Sequence, residues 1–192
     1  MEQPESKSRI VRATVDLLSQ SGLSGVGINQ IVAASSAPRG SIYHFFPGGK
    51  VELATVALEE AEKVEGQWFR GIFHQPESIG RKVTLLFDDA AKILEASEFM
   101  KGCPVAAVAL DLDRNSERLR AVCCAIFVTW QDIIATGLDE VPEAERREVA
   151  ELILATLEGA LLLSRTEATK DPLLRAGRTL GKILGRKFQA AS

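Results

Sequence analysis

The segment APRGSIYHFFPGGK, residues 37–50, concentrates side chains that could hold a ligand. Only 6% of the chain is aromatic and it contains two histidines, yet Tyr43, His44, Phe45 and Phe46 are consecutive. A guanidinium (Arg39), a phenol and an imidazole can all hydrogen-bond anionic oxygens. The polar tips therefore predict contact with an anionic surface, and the phenylalanine rings predict anchoring in a core.

Residue patterns typical of enzymes do not occur. The histidines, His44 and His74, are far apart in sequence, and no nucleophile–base motif, metal-ligand cluster or glycine-rich phosphate loop is found. We therefore expect no catalytic residues, no metal and no cofactor. The three cysteines (Cys103, Cys123 and Cys124) are an odd number without scaffold spacing, which favours a reducing cytoplasm and inert, buried thiols.

Charge and hydropathy restrict the class of protein further. The chain has 192 residues, of which 46% are hydrophobic, and this fraction is enough for a substantial core. Its net charge is -3. No apolar run approaches the roughly 20 residues of a membrane span, and the charged N-terminus lacks a leader pattern, so we expect a cytoplasmic protein without a membrane partner. Residues 1–50 hold five basic and three acidic residues, whereas the rest is acidic overall. A mildly basic head would suit contact with a polyanion.

Apolar residues recur at helical spacing and strand signals are nearly absent, which predicts an all-α fold of about nine helices. We expect a three-helix head over residues 1–50 and a larger helical body over 51–192. The expected helices run from Ser6 or Ser8 to 21, 28–35, 38–46, 50–74, 77–97, 105–112, from Asn115 or Ser116 to 137, 142–169 and 171–188.

The second and third helices, joined by residues 35–38, have the outline of a helix-turn-helix. The second helix of such a motif enters the DNA major groove by its N-terminal half. Gly40 and Ser41 are small enough for that approach, and Arg39 can reach a guanine edge or a phosphate. Tyr43 and His44, one turn later, are suited to phosphate contacts.

The run IVAASSAPRGSIYHFFPGGKVELA, residues 31–54, resembles the DNA-binding signature of TetR-family transcriptional regulators. The segment GCPVAAVALD, residues 102–111, is similar to the subgroup with an LmrA/YxaF-type C-terminal domain. This resemblance implies a double-stranded DNA operator faced by Asn29, Arg39, Gly40, Ser41, Tyr43, His44 and Lys50. Two positions depart from the family pattern: Ser36 replaces the usual turn glycine, and Pro38 replaces the serine that usually opens the recognition helix.

The resemblance also implies a small-molecule pocket and a homodimer. We predict an apolar pocket from the aromatic residues of the body, lined by Phe69, Phe73, Phe87, Phe99, Val105, Phe127 and Trp130. The last two helices carry apolar stripes too broad for one partner, which predicts a two-fold interface including Leu157, Leu161, Leu174 and Leu180.

These features favour a ligand-responsive repressor that a small apolar or aromatic inducer releases from a palindromic operator. Two alternatives remain open. One is a thiol-sensing regulator, because Lys101 lies near Cys103 and a basic neighbour activates a thiol. The other is a helical small-molecule carrier that does not bind DNA.

Overall fold

The structure, a computed structural model, describes the backbone of residues 2–114 and 116–189 and side chains from Glu5 to Arg114 and from Ser116 to Phe188. Within these residues the chain forms nine helices and no strand, which confirms the predicted all-α class. They are α1 (Glu2–Ser21), α2 (Ile28–Ser35), α3 (Arg39–Phe45), α4 (Gly49–Phe73), α5 (Ile79–Ala96), α6 (Pro104–Leu110), α7 (Glu117–Thr136), α8 (Glu143–Glu167) and α9 (Asp171–Gln189).

Several helices begin at residues other than those predicted, because the N-cap residue determines where a helix begins. Pro38 and Pro142 precede their helices as N-caps rather than occupying the first helical position. Ser78 begins α5 by accepting the Arg81 N–H on its hydroxyl at 3.4 Å, and the Cys103 sulfur accepts the Ala106 N–H at the start of α6. The helix α1 begins before both expected caps, and Asn115 lies outside the described residues.

Residues up to Val64 form one compact unit together with Cys103–Ile126. The helix α1 buries Ile10 and Leu18 and is followed by Gly22, whose φ of +65° is a conformation that favours glycine. A Cβ at Gly22 would lie 2.5 Å from an Asp111 carboxylate oxygen, which accepts the Ser24 N–H at 2.8 Å. The residue that ends α6 is thus bonded to the loop that opens the second helix of the head.

Residues 65–102 and the chain from Phe127 onward form the second unit. Here α5 packs against α9 and α8, with Leu86, Ile153 and Leu173 fully buried. Lys82 is buried and its ammonium donates to the Gly137 carbonyl at 2.8 Å, just past the end of α7. A cation at this position is favourable, because it lies at the negative end of the α7 dipole.

By length and composition alone, α7 is the one helix in the described ranges that could cross a membrane, a test that core helices of soluble proteins also pass. The compact units are defined by packing. The division at residue 50, which concerns function, stays a prediction.

The second unit contains a carboxyl group with a perturbed pKa. Burial of Glu65 on α4, and secondarily the nearby carboxylate of Glu158 on α8, raise its pKa to about 8. Because the ordinary value is about 4.3, the folded chain holds this proton to a higher pH than the unfolded chain does. This contribution to folding stability is fully present below about pH 4 and is lost as the pH rises toward 8.

We predict that Glu65→Gln, which keeps the neutral form at every pH, becomes progressively more stable than the parent between pH 5 and 8. The difference in unfolding free energy should grow by up to about 1.4 kcal/mol per pH unit. Urea unfolding at each pH measures it, with the exposed Glu59→Gln on the same helix as control. Parallel pH profiles for parent and Glu65→Gln would contradict the prediction.

Candidate nucleic-acid interface

The helix-turn-helix is formed by α2, a short turn and α3. Gly27 donates its N–H to the Gln30 side chain at 2.6 Å and so begins α2. Ser36 ends it in the left-handed conformation, with φ 52° and ψ 29°. That conformation in a non-glycine residue costs roughly 1–2 kcal/mol, so the departure from glycine noted in the sequence has a structural cost. Pro38 then directs the chain into α3.

The inner face of α3 anchors the helix. Ile42 is completely buried, and Phe46, directly after the helix, is almost completely buried. Phe45, expected to face inward with them, is only half-buried and lies edge-on to the His44 ring at 5.0 Å. The Lys7 ammonium of α1 lies 5.7 Å from the centre of the Phe46 ring, within range of a cation–π contact. These contacts fix how α3 presents its outer face.

Five of the residues predicted to contact DNA lie on α3, whereas Asn29 lies on α2 and Lys50 on α4. Of the seven predicted residues, five are exposed: Asn29, Arg39, Gly40, Tyr43 and His44. The other two, Ser41 and Lys50, are half-buried. Tyr43 is 49% exposed although it is aromatic. The arrangement leaves a guanidinium, a phenol and an imidazole available on one short helix whose other face is buried.

Only some of these residues meet in a common depression. An open groove of about 640 Å³ is lined by Gly40, Ser41 and His44, with Pro38, Phe45 and two residues of α1, Ser6 and Arg9. Asn29, Arg39, Tyr43 and Lys50 do not line it. The groove therefore runs along α3 and joins it to the first helix.

Arg9 is a further candidate for contact with DNA. From the sequence it was included only among the basic residues of the head. One terminal nitrogen of its guanidinium donates to Ser6 Oγ at 3.4 Å, and its Nε is buried without a hydrogen-bond partner. An unpaired donor of this kind is costly unless a ligand satisfies it. Because α1 and α3 are separate in sequence, only the spacing of Ser6 and Arg9, one turn apart on α1, could have suggested the site.

The residues predicted to line a ligand pocket do not form one cluster. Phe69 and Phe127 each lie with ring centres 5.7 Å from that of Trp130. Phe87 instead packs against Gly177 on α9. Phe73 and Val105 are fully buried, and Phe99, like Phe127, is half-buried. The prediction that all seven line a pocket stays a prediction.

Trp68 is a polar group of the body that the prediction did not include. Its ring centre lies 5.1 Å from that of Phe69, and its indole N–H is buried with no hydrogen-bond partner. It follows Glu65 by one helical turn on α4. The sequence offered one signal, a tryptophan beside Phe69, but its unmet donor becomes visible only in the folded chain.

The predicted interface leucines divide into two groups. Leu157 and Leu180 are buried within the chain, whereas Leu161 and Leu174 are half-buried. The large apolar side chains exposed on the same helices are Leu152, Leu162, Leu163 and Ile183. The residues that offer apolar surface therefore lie beside those named from the sequence.

The three thiols have different surroundings. Burial raises the pKa of Cys123 and so disfavours its thiolate, in agreement with the expected inert thiol. The expectation was wrong for Cys124, which is exposed because it lies on the outer side of α7. Cys103 is half-buried and caps α6. Within the described ranges, no three or more His, Cys, Asp or Glu residues are grouped to hold a metal.

Comparison with known proteins matches both parts of the chain. Residues 10–56 match the family described as bacterial regulatory proteins, tetR family, and residues 80–179 match the transcriptional regulator LmrA/YxaF-like C-terminal domain. The transcriptional regulator YxaF of Bacillus subtilis is 32% identical over 185 residues, covering 95% of this chain and 97% of its own.

Solved structures share the fold. A TetR regulatory protein from Rhodobacter sphaeroides superposes with a TM-score of 0.81 at 24% identity, over 91% of this chain and 96% of its own. The regulator CifR, as a cysteine mutant complexed with 26-bp double-strand operator DNA, has a TM-score of 0.79 at 19% identity over 91% and 94% of the two chains. Together with the sequence matches, these findings place the chain in the TetR family of DNA-binding transcriptional regulators, with a C-terminal domain of the LmrA/YxaF type.

Proposed function

We propose that this regulator is a homodimeric repressor that binds a palindromic operator and releases it when a small apolar or aromatic molecule occupies the body. The observation that carries the DNA-binding part is the two-sided character of α3. Ile42 is buried in the first unit, while Arg39, Tyr43 and His44 of the same helix are exposed. A helix held this way presents a fixed set of donors to the major groove and to phosphates.

The inducer class follows from the interior of the body. The rings of Phe69, Phe127 and Trp130 offer aromatic surface, and the Trp68 indole N–H offers a donor without a partner. Pockets for small molecules are mostly apolar with a few placed polar groups. An aromatic molecule with a hydrogen-bond acceptor for Trp68 fits this combination.

The contact between Asp111 and the Ser24 N–H supports a route for the response. It ties the end of α6 to the loop between α1 and α2, so a shift of α6 would displace the head. The segment that contains α6 begins at Cys103, directly after Gly102 of the second unit in the sequence. A ligand can move the equilibrium between two such arrangements only by the difference in its affinity for them.

A second copy of the chain is the proposed partner of the exposed side of α8 and α9. Leu152, Gly159 and Leu163 recur at seven and four residues, so they share one face of α8, and Ile183 is 56% exposed on α9. A two-fold dimer would cover this apolar face and would give the two heads a set spacing.

We predict that selection from a random duplex pool enriches a palindrome. Arg39→Ala should relax the preference at one base pair per half-site, at a cost of about 1–3 kcal/mol, if its guanidinium reads a guanine. Tyr43→Phe should weaken all sequences equally, because its hydroxyl is proposed to bind phosphate. Fluorescence anisotropy on the selected site measures both, with the exposed Arg175→Ala of α9 as control. An unenriched pool would contradict sequence-specific binding by this head.

We also predict that Arg9→Ala lowers affinity by the same factor on every duplex. Its guanidinium is proposed to bind a phosphate, so the slope of log affinity against log salt concentration should become shallower by about one. Titrations across a range of salt concentrations, again beside Arg175→Ala, measure this. An unchanged slope would show that Arg9 has only a structural role in the groove.

For the dimer, we predict that Ile183→Glu shifts the chain toward monomers. Burying an isoleucine contributes about 1.5–3 kcal/mol, so placing a charge there should weaken association by about tenfold or more. Sedimentation velocity at micromolar concentration measures the change. The control is Ile93→Glu, because Ile93 is 58% exposed on α5. Equal sedimentation of the two variants, or a monomeric parent, would contradict the proposed interface.

A further inference from the structure

A groove of the second unit is lined almost wholly by small and cationic residues. It lies between the beginning of α5 and the C-terminal half of α9 and has a volume of about 390 Å³. Its lining consists of Ser78, Gly80, Arg81, Thr84, Arg178, Gly181, Lys182, Gly185 and Arg186. The lining contains no acidic residue, although the whole chain has a net charge of -3.

Glycines form the floor of this groove. A Cβ at Gly80 would lie 2.7 Å from the Gly181 carbonyl oxygen, and a Cβ at Gly181 would lie equally close to that of Gly80. The two helix backbones can therefore touch, and no bulky side chain fills the space above them. Gly185 continues the floor along α9. The longer side chains stand on its rims.

The four cations on the rims are exposed and uncompensated. Arg81, Arg178, Lys182 and Arg186 have no ion pair with any described residue. Other cations of α9 differ: Lys187 pairs with Glu145 at 2.6 Å, and Arg175 lies 3.8 Å from Asp171. The row of three positive charges has a cost, because like charges four residues apart destabilise a helix.

The helix dipole accounts for only part of this pattern. A cation in the last turn of a helix is favourable, which explains Arg186. Arg178 and Lys182 lie nearer the middle of α9, where the dipole gives no benefit. The groove also adjoins the N-terminal turn of α5, whose partial positive charge adds to the same potential. A bound anion would offset both the repulsion among these cations and the positive potential at the beginning of α5.

We propose that this groove binds a small polyanion, a molecule with two or more phosphate or carboxylate groups. From Arg178 to Arg186 the helix rises by about 12 Å, so charges spread over such a length could meet all three rim cations. Arginine binds both kinds of group through two parallel hydrogen bonds. The groove volume falls within the range of small-molecule sites, which favours a small ligand over a macromolecular one.

The test uses the full chain and two matched double variants of α9. Tripolyphosphate and citrate are titrated separately by calorimetry at about 0.15 M salt, where weak surface attraction is screened. Arg178→Gln with Lys182→Gln removes two groove cations. Arg175→Gln with Lys187→Gln removes the same charge, from the same helix, outside the groove. Circular dichroism and thermal melting confirm that each variant is folded.

We expect saturable binding of one of the two probes, weakened about tenfold or more in the groove variant and little changed in the matched control. Amide chemical-shift changes at Gly80, Gly181 and Gly185 should accompany it. Tighter binding of tripolyphosphate would identify a phosphate ligand, and tighter binding of citrate a carboxylate ligand. Equal losses in the two double variants, or no saturable binding of either probe, would overturn the proposal.

Discussion

The proposed DNA-binding function depends on the burial of two side chains, Ile42 of α3 and Phe46 directly after this helix. Seven residues are too few for an isolated helix to persist in water, since nucleation is costly and few hydrogen bonds repay it. Ile42 and Phe46 supply the missing stabilisation by inserting into the first unit. A substitution that emptied either site would therefore disrupt the surface that we propose reads DNA, without touching an exposed residue. The strained Ser36 turn lies between two helices that are each anchored by burial, α2 through Ile31 and α3 through Ile42.

The head could be predicted from the sequence because its signals are local. The breakers Gly22, Pro38 and Pro47 bound short segments, and aromatic residues beside polar ones divide α3 into an inner and an outer face. What the sequence could not show is the groove shared by α1 and α3. Arg9 belongs to it only because folding brings together two helices about thirty residues apart. The caps at Ser78 and Cys103 likewise depend on local geometry that periodicity does not encode.

The ligand pocket of the body was harder to predict, because a packed core and an apolar pocket are lined by the same types of residue. Aromatic side chains at helical spacing predict burial, and Phe73, Phe87 and Trp130 are buried, but burial alone does not separate a packed core from a ligand site. A donor without a partner is more informative, since native cores rarely leave one. Trp68 is such a donor. Family membership rules out the alternative of a carrier without DNA binding, and the thiol hypothesis rests now on Cys103 and the exposed Cys124.

Charge has to be considered locally in this protein. The overall negative chain offers little long-range attraction to DNA, and at physiological salt such fields decay over about 8 Å. In the proposed complex, the few cations of the head would therefore act only after close approach, when α3 already meets the DNA groove, which would favour complementary sites over DNA in general. The same short range applies to the charges of Arg178, Lys182 and Arg186 on a different surface. Only a ligand that enters between α5 and α9 can therefore use all of their field.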